Sequence, residues 1–357
     1  MIKGNKGEWS EVYALFKILG DKSLYAGDTD LKKVEDLFYP IIKIIRNESG
    51  GNYEYELAGD LVVITGGKEK LRIPVKTFSE QAVKLLTKIK GSSGSFNIPE
   101  TEAFMKSVNC GTLKAKSTSK SDIRIVIHDW RINQSAELGF SIKSHLGGDS
   151  TLLNAGKTTN FVYKITGFKG STSDIKRINA IDTRSKIKDR LDEVEKLGGK
   201  LKFLTLEQDI FKNNLVLIDS LLPNILSEVV FKFYTTTFSV VNVLAGAVSS
   251  ENPMGYDTKF SHSFYEYKIK RFLTDVAVGM LPSKVWTGFY DPTGGFLIVK
   301  EDGEILCYHI YNRNQFEDYL FHNTKLDTAS SSRHDFGKVY TEAGNLYFKL
   351  NLQIRFI

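Results

Sequence analysis

The sequence has little of what builds disulfide, zinc or membrane-spanning structures. Two of its 357 residues are cysteines, Cys110 and Cys307, and neither lies at a CxxC or Cys/His spacing. This scarcity argues against a disulfide scaffold and a structural zinc site, and it fits a reducing compartment. The longest apolar stretches, 215–218 and 238–248, are too short and too interrupted to cross a bilayer. The first eleven residues lack the apolar core of a signal peptide, so we expect a cytoplasmic protein.

Familiar catalytic motifs are also missing. Residues 155–158 read Ala-Gly-Lys-Thr, like the end of a P-loop, but the pattern GxxxxGK[ST] needs glycine at position 151, where Thr151 stands. The six histidines lie far apart without an HExxH spacing, and no GxSxG motif is present. The sequence therefore argues against a nucleotide-binding loop, a metalloprotease site and a nucleophile elbow.

The overall composition is that of a globular protein with a slight positive charge. Hydrophobic residues make up 41% and charged residues 25%, which excludes a disordered chain, a collagen and a coiled coil. The 48 Lys and Arg against 42 Asp and Glu leave a net charge of +6, which permits a polyanionic partner such as nucleic acid without requiring one. The length suggests about two domains, or one large one.

Hydrophobic periodicity predicts an α/β protein. The order strand–helix–strand in the middle of the chain indicates an α/β core. The elements expected there are strands at 122–128, 137–144, 161–165 and 200–204 and a charged helix at 181–197. The other expected elements are helices at 8–19 and 77–90, strands at 39–45, 53–57 and 61–65, a mostly helical stretch at 206–279, hairpins turning at 301–304 and 342–345, a polar loop at 323–337 and an alternating strand at 347–357.

One pair of residues suggests a catalytic chemistry. Asp122 opens a predicted strand, and Lys143 lies on the next strand, 21 residues later. A carboxylate can hold a divalent cation such as Mg²⁺ against a phosphate, and the ion can neutralise charge in the transition state. A nearby lysine can hold or deprotonate a water molecule. This arrangement suits phosphodiester cleavage, although spacing alone still favours a structural ion pair, because Asp and Lys at this separation are common.

Longer segments of the sequence resemble a known family. The segments 6–13, 139–144, 151–155 with 159–161, and 350–356, together with the loop 325–337, resemble the HpaII-type family of type II restriction endonucleases. The resemblance implies a PD-(D/E)xK nuclease fold, with a central mixed sheet flanked by helices and a β-rich C-terminal region. It implies Mg²⁺-dependent, sequence-specific cleavage of double-stranded DNA that leaves 5′-phosphate ends. It further implies a short palindromic target, with CCGG as the best choice, a homodimer, and a cognate DNA methyltransferase that makes no stable contact.

The resemblance also assigns roles to residues of the middle strands. Asp122 matches the first metal-binding carboxylate of the PD-(D/E)xK pattern, and Lys143 matches its catalytic lysine. The backbone carbonyl of Ile142 is implied as a further metal ligand. Ser141 stands where the pattern has its middle acid, and a hydroxyl is a poor direct ligand for the metal.

A second carboxylate must then come from elsewhere in the chain. Glu11, or Glu8, on the first helix is one source, and Glu137 at the start of the same strand is another. Glu8 and Glu11 fit a purely local role equally well, since carboxylates in a first turn stabilise the helix dipole. The number of metal ions, one or two, stays open.

DNA contacts are expected after the catalytic strand and in the C-terminal part. Asn pairs well with adenine and Arg with guanine in the major groove. For the loop that holds Lys325, Arg333 and His334, a solvated polar loop is an equally good interpretation. The resemblance predicts a catalytic core over 1–205 and a helical, then β-hairpin region for DNA recognition over 206–357. The residues expected to contact DNA are Ser144, Asn154, Lys157, Lys325, Arg333 and His334.

Two alternatives to a restriction endonuclease stay open at this point. A sequence-specific DNA-binding protein on the same scaffold would have lost cleavage through Ser141. A structural or interaction protein would use Asp122 and Lys143 only as an ion pair. Mg²⁺-dependent nicking separates the nuclease from the first alternative, and any binding to DNA separates the first alternative from the second.

Overall fold

The computed structural model describes residues 1–48, 50–66, 70–114, 121–131, 133–290 and 294–357. Contacts within the chain define two compact units. Unit 1 combines Met1–Ser150 with Tyr290–Tyr319, and unit 2 combines Thr151–Phe289 with Leu320–Ile357. Each unit is therefore built from two separate stretches of the chain. The functional boundary expected after residue 205 falls inside the first stretch of unit 2 and stays a prediction.

Helices and strands follow one another along both units. The helices are α1 Lys6–Asp21, α2 Val75–Gly91, α3 Pro99–Ser107, α4 Thr172–Ala180, α5 Lys186–Lys196, α6 Asp209–Ile218, α7 Leu222–Thr235, α8 Val241–Glu251, α9 Phe264–Ala277, α10 Arg313–His322 and α11 Ser331–His334. The strands are β1 Ser23–Gly27, β2 Lys33–Glu48, β3 Gly51–Ala58, β4 Leu61–Thr65, β5 Leu71–Pro74, β6 Ile123–Asp129, β7 Gln134–Ser144, β8 Thr151–Leu153, β9 Asn160–Thr166, β10 Lys200–Leu206, β11 Gly295–Val299, β12 Ile305–His309, β13 Thr324–Leu326, β14 Val339–Glu342, β15 Asn345–Asn351 and β16 Ile354–Phe356. Among the described residues, no single helix is long and apolar enough to cross a membrane, and α6 with α7 passes that test only as a pair bent by 110°.

A nine-stranded mixed sheet forms the centre of unit 1, in the order β1-β12-β11-β7-β6-β2-β3-β4-β5. The pairs β1–β12 and β7–β11 are parallel, and the other neighbours are antiparallel. This confirms the predicted mixed sheet with helices. In the β6–β7 pair, Ile123 lies opposite Phe140, which places Asp122 beside the last residues of β7.

Helix α1 holds a large part of the core of unit 1 and confirms the helix predicted at its start. The Asn5 side chain accepts a hydrogen bond from the Glu8 N–H at 3.0 Å, and the Glu8 carboxylate accepts one from the Asn5 N–H at 2.9 Å. This capping box satisfies two backbone donors at the helix start. Trp9 and Phe16 are fully buried, and burial of such a side chain stabilises the fold by roughly 1.5–3 kcal/mol. Packing therefore holds α1, and Glu11 on it, in a defined position.

Unit 2 contains two smaller sheets, β10-β9-β15-β14 and β13-β16-β8. The hairpin β14–β15 confirms the turn predicted at 342–345. The strand predicted at 347–357 divides into β15 and β16, because Leu352 and Gln353 leave one sheet before β16 joins the other. The turn residues in the sequence thus predicted the hairpin. The change from one sheet to the other depends on partner strands that are distant in the sequence.

Two other predictions for unit 2 were wrong in detail. The helix predicted at 181–197 begins only at Lys186, as α5. Before it, Thr183 bonds the Asp189 carboxylate and Asp182 pairs with Lys186 at 2.8 Å, and such side-chain bonds compete with helix formation. The polar loop predicted at 323–337 contains β13 and α11, two elements too short to show a periodic pattern.

Candidate active site

A cleft of about 720 Å³ lies in unit 1. The start of α1, the end of β7 and the segments before β6 and after α2 form its walls. Three of the predicted site residues, Glu11, Asp122 and Lys143, line this cleft together. Further residues that line it include Lys6, Glu8, Lys114, Ile142 and Ser144. The structure therefore brings Glu11 of α1, Asp122 just before β6 and Lys143 of β7 to one place.

Strand pairing holds Asp122 beside the end of β7. The Asp122 backbone N–H donates to the Phe140 carbonyl at 2.9 Å, and the Ile142 backbone N–H donates to Asp122 Oδ2 at 2.7 Å. Side chains alternate along a strand, so Ser141 and Lys143 lie on the same face of β7. Ser141 is buried in the strand and does not line the cleft. A direct role for Ser141 at the cleft therefore gains no support from its position.

Lys143 is a cation in a partly apolar environment. Its Nζ lies 5.4 Å from the centre of the Phe296 ring on β11, within the range of a cation–π interaction. Burial lowers the pKa of Lys143, while the carboxylates of Asp122 and Glu11 oppose this change. Lys143 consequently gives up its proton more readily than an exposed lysine does.

Glu11 faces the cleft from α1 and is only 9% exposed. Burial and, to a smaller extent, the charge of Asp122 raise the pKa of Glu11 to about 8, against an ordinary value of 4.5. Burial also raises the pKa of Asp122, although the Ile142 N–H and the charge of Lys143 oppose this effect. Burial and mutual repulsion thus both disfavour the negative charges of Glu11 and Asp122. A cation bound between them would stabilise both charges.

The donor atoms of the cleft fit a hard divalent cation. Mg²⁺ prefers oxygen ligands, commonly one or two carboxylates with water completing its shell. Glu11 and Asp122 supply two carboxylates, and Ile142, whose carbonyl is the third expected ligand, also lines the cleft. Within the described ranges, no group of three or more His, Cys, Asp and Glu side chains could hold a metal. A Mg²⁺ site here would therefore depend on these two carboxylates.

The other two acidic candidates lie in different environments. Glu8 lines the cleft, but its carboxylate already accepts the hydrogen bond of the helix cap. The Glu137 carboxylate pairs with Arg124 at 2.8 Å. Along an extended strand, Glu137 lies roughly 20 Å before the end of β7. The structure brings Glu11 to Asp122 and does not bring Glu137 there.

The sequence did not reveal the lysine at position 114 of the cleft or a contact that joins two of its walls. Lys114 lines the cleft, and its positive charge lowers the pKa of both Glu11 and Asp122. No signal pointed to it, because it lies outside every predicted helix and strand. The Ser10 hydroxyl lies 2.8 Å from the Ser144 hydroxyl and joins α1 to β7. Ser10 lies outside the apolar stripe of α1, on the side that carries Lys6 and Lys17, so hydrophobic periodicity gave no signal for that contact.

Comparison with known proteins identifies the family. The chain matches the model of the HpaII restriction endonuclease family over residues 5–356. It is 48% identical over 358 residues to the type II restriction enzyme HpaII of Haemophilus parainfluenzae, an alignment that covers 99% of this chain and 98% of that enzyme. The chain belongs to the HpaII restriction endonuclease family. No solved structure matches it.

Membership of the HpaII family confirms the resemblance seen in the sequence. It makes the chain a type II site-specific deoxyribonuclease, whose substrate is double-stranded DNA. It therefore favours the endonuclease over the two alternatives, a protein that only binds DNA and a structural protein. Type II restriction enzymes generally use a divalent metal, which agrees with the oxygen donors of the cleft.

The predicted DNA contacts of this restriction endonuclease lie in both units. Ser144 lines the cleft in unit 1, where its hydroxyl is engaged with Ser10. In unit 2, Lys157 Nζ lies 3.9 Å from Asp335 Oδ2. Asp335 directly follows Arg333 and His334, the last residues of α11. Three of the predicted contacts in unit 2 are therefore neighbours.

The other two predicted contacts, Lys325 and Asn154, belong to the three-stranded sheet of unit 2. Lys325 on β13 lies opposite Arg355 on β16. Asn154 directly follows β8, which pairs with the other side of β16. The two residues therefore lie on either side of the same strand.

Proposed function

We propose that this HpaII-family enzyme cleaves double-stranded DNA at the cleft of unit 1, on a PD-(D/E)xK core, in a Mg²⁺-dependent reaction. The observation that carries the proposal is the meeting of buried Glu11 and half-buried Asp122 with Lys143 in one cleft. The products carry 5′-phosphate ends. The target is a short palindrome, for which the family resemblance suggests CCGG.

Three groups are the proposed metal ligands: the carboxylates of Asp122 and Glu11 and the backbone carbonyl of Ile142. Mg²⁺ held there supplies positive charge opposite the negative charge that develops on the phosphate. The Ile142 N–H orients one oxygen of Asp122. Glu11 supplies the carboxylate that the PD-(D/E)xK pattern has at the position of Ser141.

Lys143 is the proposed residue for activating water. A lowered pKa allows its Nζ to hold a water molecule and to accept the proton that this water loses on attack at phosphorus. The Phe296 ring beneath Nζ restricts where the amine can lie. Ser10, bonded to Ser144, keeps the helix that carries Glu11 against the strand that carries Lys143.

Recognition is proposed for residues of both units. Ser144 and Lys157 suit contacts to the phosphate backbone, whereas amide and guanidinium groups suit base edges in the major groove. The residues proposed to contact DNA are Ser144, Asn154, Lys157, Lys325, Arg333 and His334. A homodimer gives one active site for each strand of a palindrome. The enzyme acts in the cytoplasm. A cognate methyltransferase that acts on the same sequence protects the host's own DNA from cleavage.

Digestion of unmethylated phage DNA, with and without Mg²⁺, tests the proposal directly. We expect discrete bands only with Mg²⁺, and sequencing of the ends identifies the target and the stagger. Lys143→Ala should abolish cleavage and retain DNA binding in a gel-shift assay, because it removes chemistry and no recognition contact. Lys76→Ala, at an exposed position on α2, should cut like the original protein. Discrete bands in EDTA, or full cutting by Lys143→Ala, would overturn the proposal.

A further inference from the structure

We propose that Lys114 is a phosphate-binding residue of this active site, and that a buried network of Arg46, Glu48 and Thr112 positions it. The inference rests on the proposed function of the cleft and adds a cation to it. Lys114 precedes Asp122 by eight residues and belongs to no helix or strand, so its place at the cleft depends on tertiary contacts.

Lys114 stands at the cleft with its side chain reaching solvent. It lines the same walls as Glu11 and Asp122, and 61% of its side chain is exposed. Its Nζ lies 3.7 Å from Glu8 Oε1. Its charge favours the ionised forms of both Glu11 and Asp122. A positive charge placed in this way is accessible to a substrate that enters the cleft.

A buried ion pair holds the backbone just before Lys114. The side chains of Arg46 and Glu48 are 2% and 3% exposed, and Arg46 Nε donates to Glu48 Oε1 at 2.8 Å. Arg46 Nη2 donates to the Thr112 carbonyl at 2.6 Å. The Thr112 hydroxyl lies 2.8 Å from Glu48 Oε2 and 2.6 Å from the Lys114 carbonyl, so it donates to one of these oxygens at a time.

A buried ion pair adds little net stability to a fold, because the desolvation of two charges offsets much of their attraction. Its bonds to the backbone at Thr112 give it a second role, which is to fix the segment that leads to Lys114. The network thus links β2, which carries Arg46 and Glu48, to the rim of the cleft.

The chemistry of the cleft calls for a cation at this position. DNA brings a negative phosphate towards Glu11 and Asp122, and like charges repel. Lys143 lies at the wall near Phe296, whereas Lys6, another lysine at the cleft, donates to the Lys90 carbonyl at 3.3 Å. Lys114 is exposed and can meet the phosphate as it enters, which reduces that repulsion.

The proposal predicts two effects when the charge is removed. Lys114→Ala should lower the single-turnover cleavage rate at saturating Mg²⁺ by about tenfold or more. Without Mg²⁺, its affinity for DNA by fluorescence anisotropy should fall, and the slope of log affinity against log salt should decrease by about one.

Matched variants separate a phosphate contact from a structural role. Lys114→Arg keeps the charge and should restore most of the rate and the salt slope. Lys106→Ala, an exposed lysine paired with Glu102 on α3, should behave like the original protein. Thr112→Val should lower the cleavage rate and the salt slope in the direction of Lys114→Ala, whereas Thr112→Ser should not.

The outcomes distinguish this inference from the proposed function. An unchanged rate and salt slope in Lys114→Ala, with Lys143→Ala inactive, would overturn the role of Lys114 alone. Cleavage by Lys143→Ala would overturn the proposed site as a whole. An impaired Lys114→Ala beside a fully normal Thr112→Val would overturn the positioning network.

Discussion

Replacing Glu11 by glutamine removes its charge and keeps its shape. Because burial beside Asp122 raises the pKa of Glu11 from 4.5 to about 8, the folded, metal-free protein holds a proton there that the unfolded chain releases between these pH values. The stability that Glu11 contributes is therefore fully present below pH 4.5 and is lost as the pH rises through 8. The amide of the variant does not titrate, so its contribution should not change over this range.

The magnitude follows from the width of that interval. Each pH unit is worth about 1.4 kcal/mol, so Glu11 should lower the free energy of unfolding by roughly 5 kcal/mol between pH 4.5 and 8. Burial supplies the larger part and Asp122 a smaller part. In the absence of metal, Glu11→Gln should be more stable than the original protein at pH 8. Mg²⁺ should stabilise the original protein more than the variant, because the variant lacks one carboxylate ligand.

Urea unfolding from pH 5 to 8, in EDTA and in Mg²⁺, measures both effects. Glu80→Gln, which changes an exposed carboxylate on α2, serves as the control and should follow the original protein. Equal pH slopes for Glu11→Gln and the original protein in EDTA would refute the reasoning. Equal stabilisation of both by Mg²⁺ would refute Glu11 as a ligand, even if the pH slopes differed.

Two further predictions concern other parts of the molecule. His309 is 2% exposed and burial lowers its pKa to about 4, so stability should fall by about 3 kcal/mol as the pH decreases from 6.5 to 4, and His309→Gln should remove this slope in urea titrations. A slope that survives in the variant would assign it to other groups. Arg333→Ala should weaken binding to the cognate duplex more than binding to random duplex in competition gel shifts, because Arg pairs with guanine. Equal losses on both duplexes would show that Arg333 contacts phosphate only.

Local signals were enough to predict the elements that carry the site. The apolar stripe of α1, with Trp9 and Phe16 on it, and the alternation in β7 each lie within a short window. Asp122 and Lys143 could be paired because adjacent antiparallel strands bring their ends together. The late start of α5, at Lys186, shows the limit of this approach, since periodicity does not report bonds made by short polar side chains.

The rest of the site depends on contacts between distant parts of the chain. Sequence alone could not choose among Glu8, Glu11 and Glu137. The packing of the folded chain decides which of these carboxylates faces Asp122. Lys114 gave no signal, since its position follows from a network that begins on β2. The pairing of β7 with β11 could not be predicted either. Parallel strands that lie far apart in the sequence share no local pattern that would reveal their pairing.

The position of β11 has a consequence for how the enzyme is made. Lys143 on β7 lies beside Ile298 on β11, 155 residues later in the chain. At typical rates of synthesis, roughly 5–20 residues per second, β7 waits about 8–30 s for this neighbour. Until then β7 is an exposed edge, and the ring of Phe296 does not yet lie under Lys143. A chain that ends before Gly295 therefore carries Asp122 and Lys143 on a sheet that lacks β11 and β12, without the ring that lies under Lys143 in the full chain.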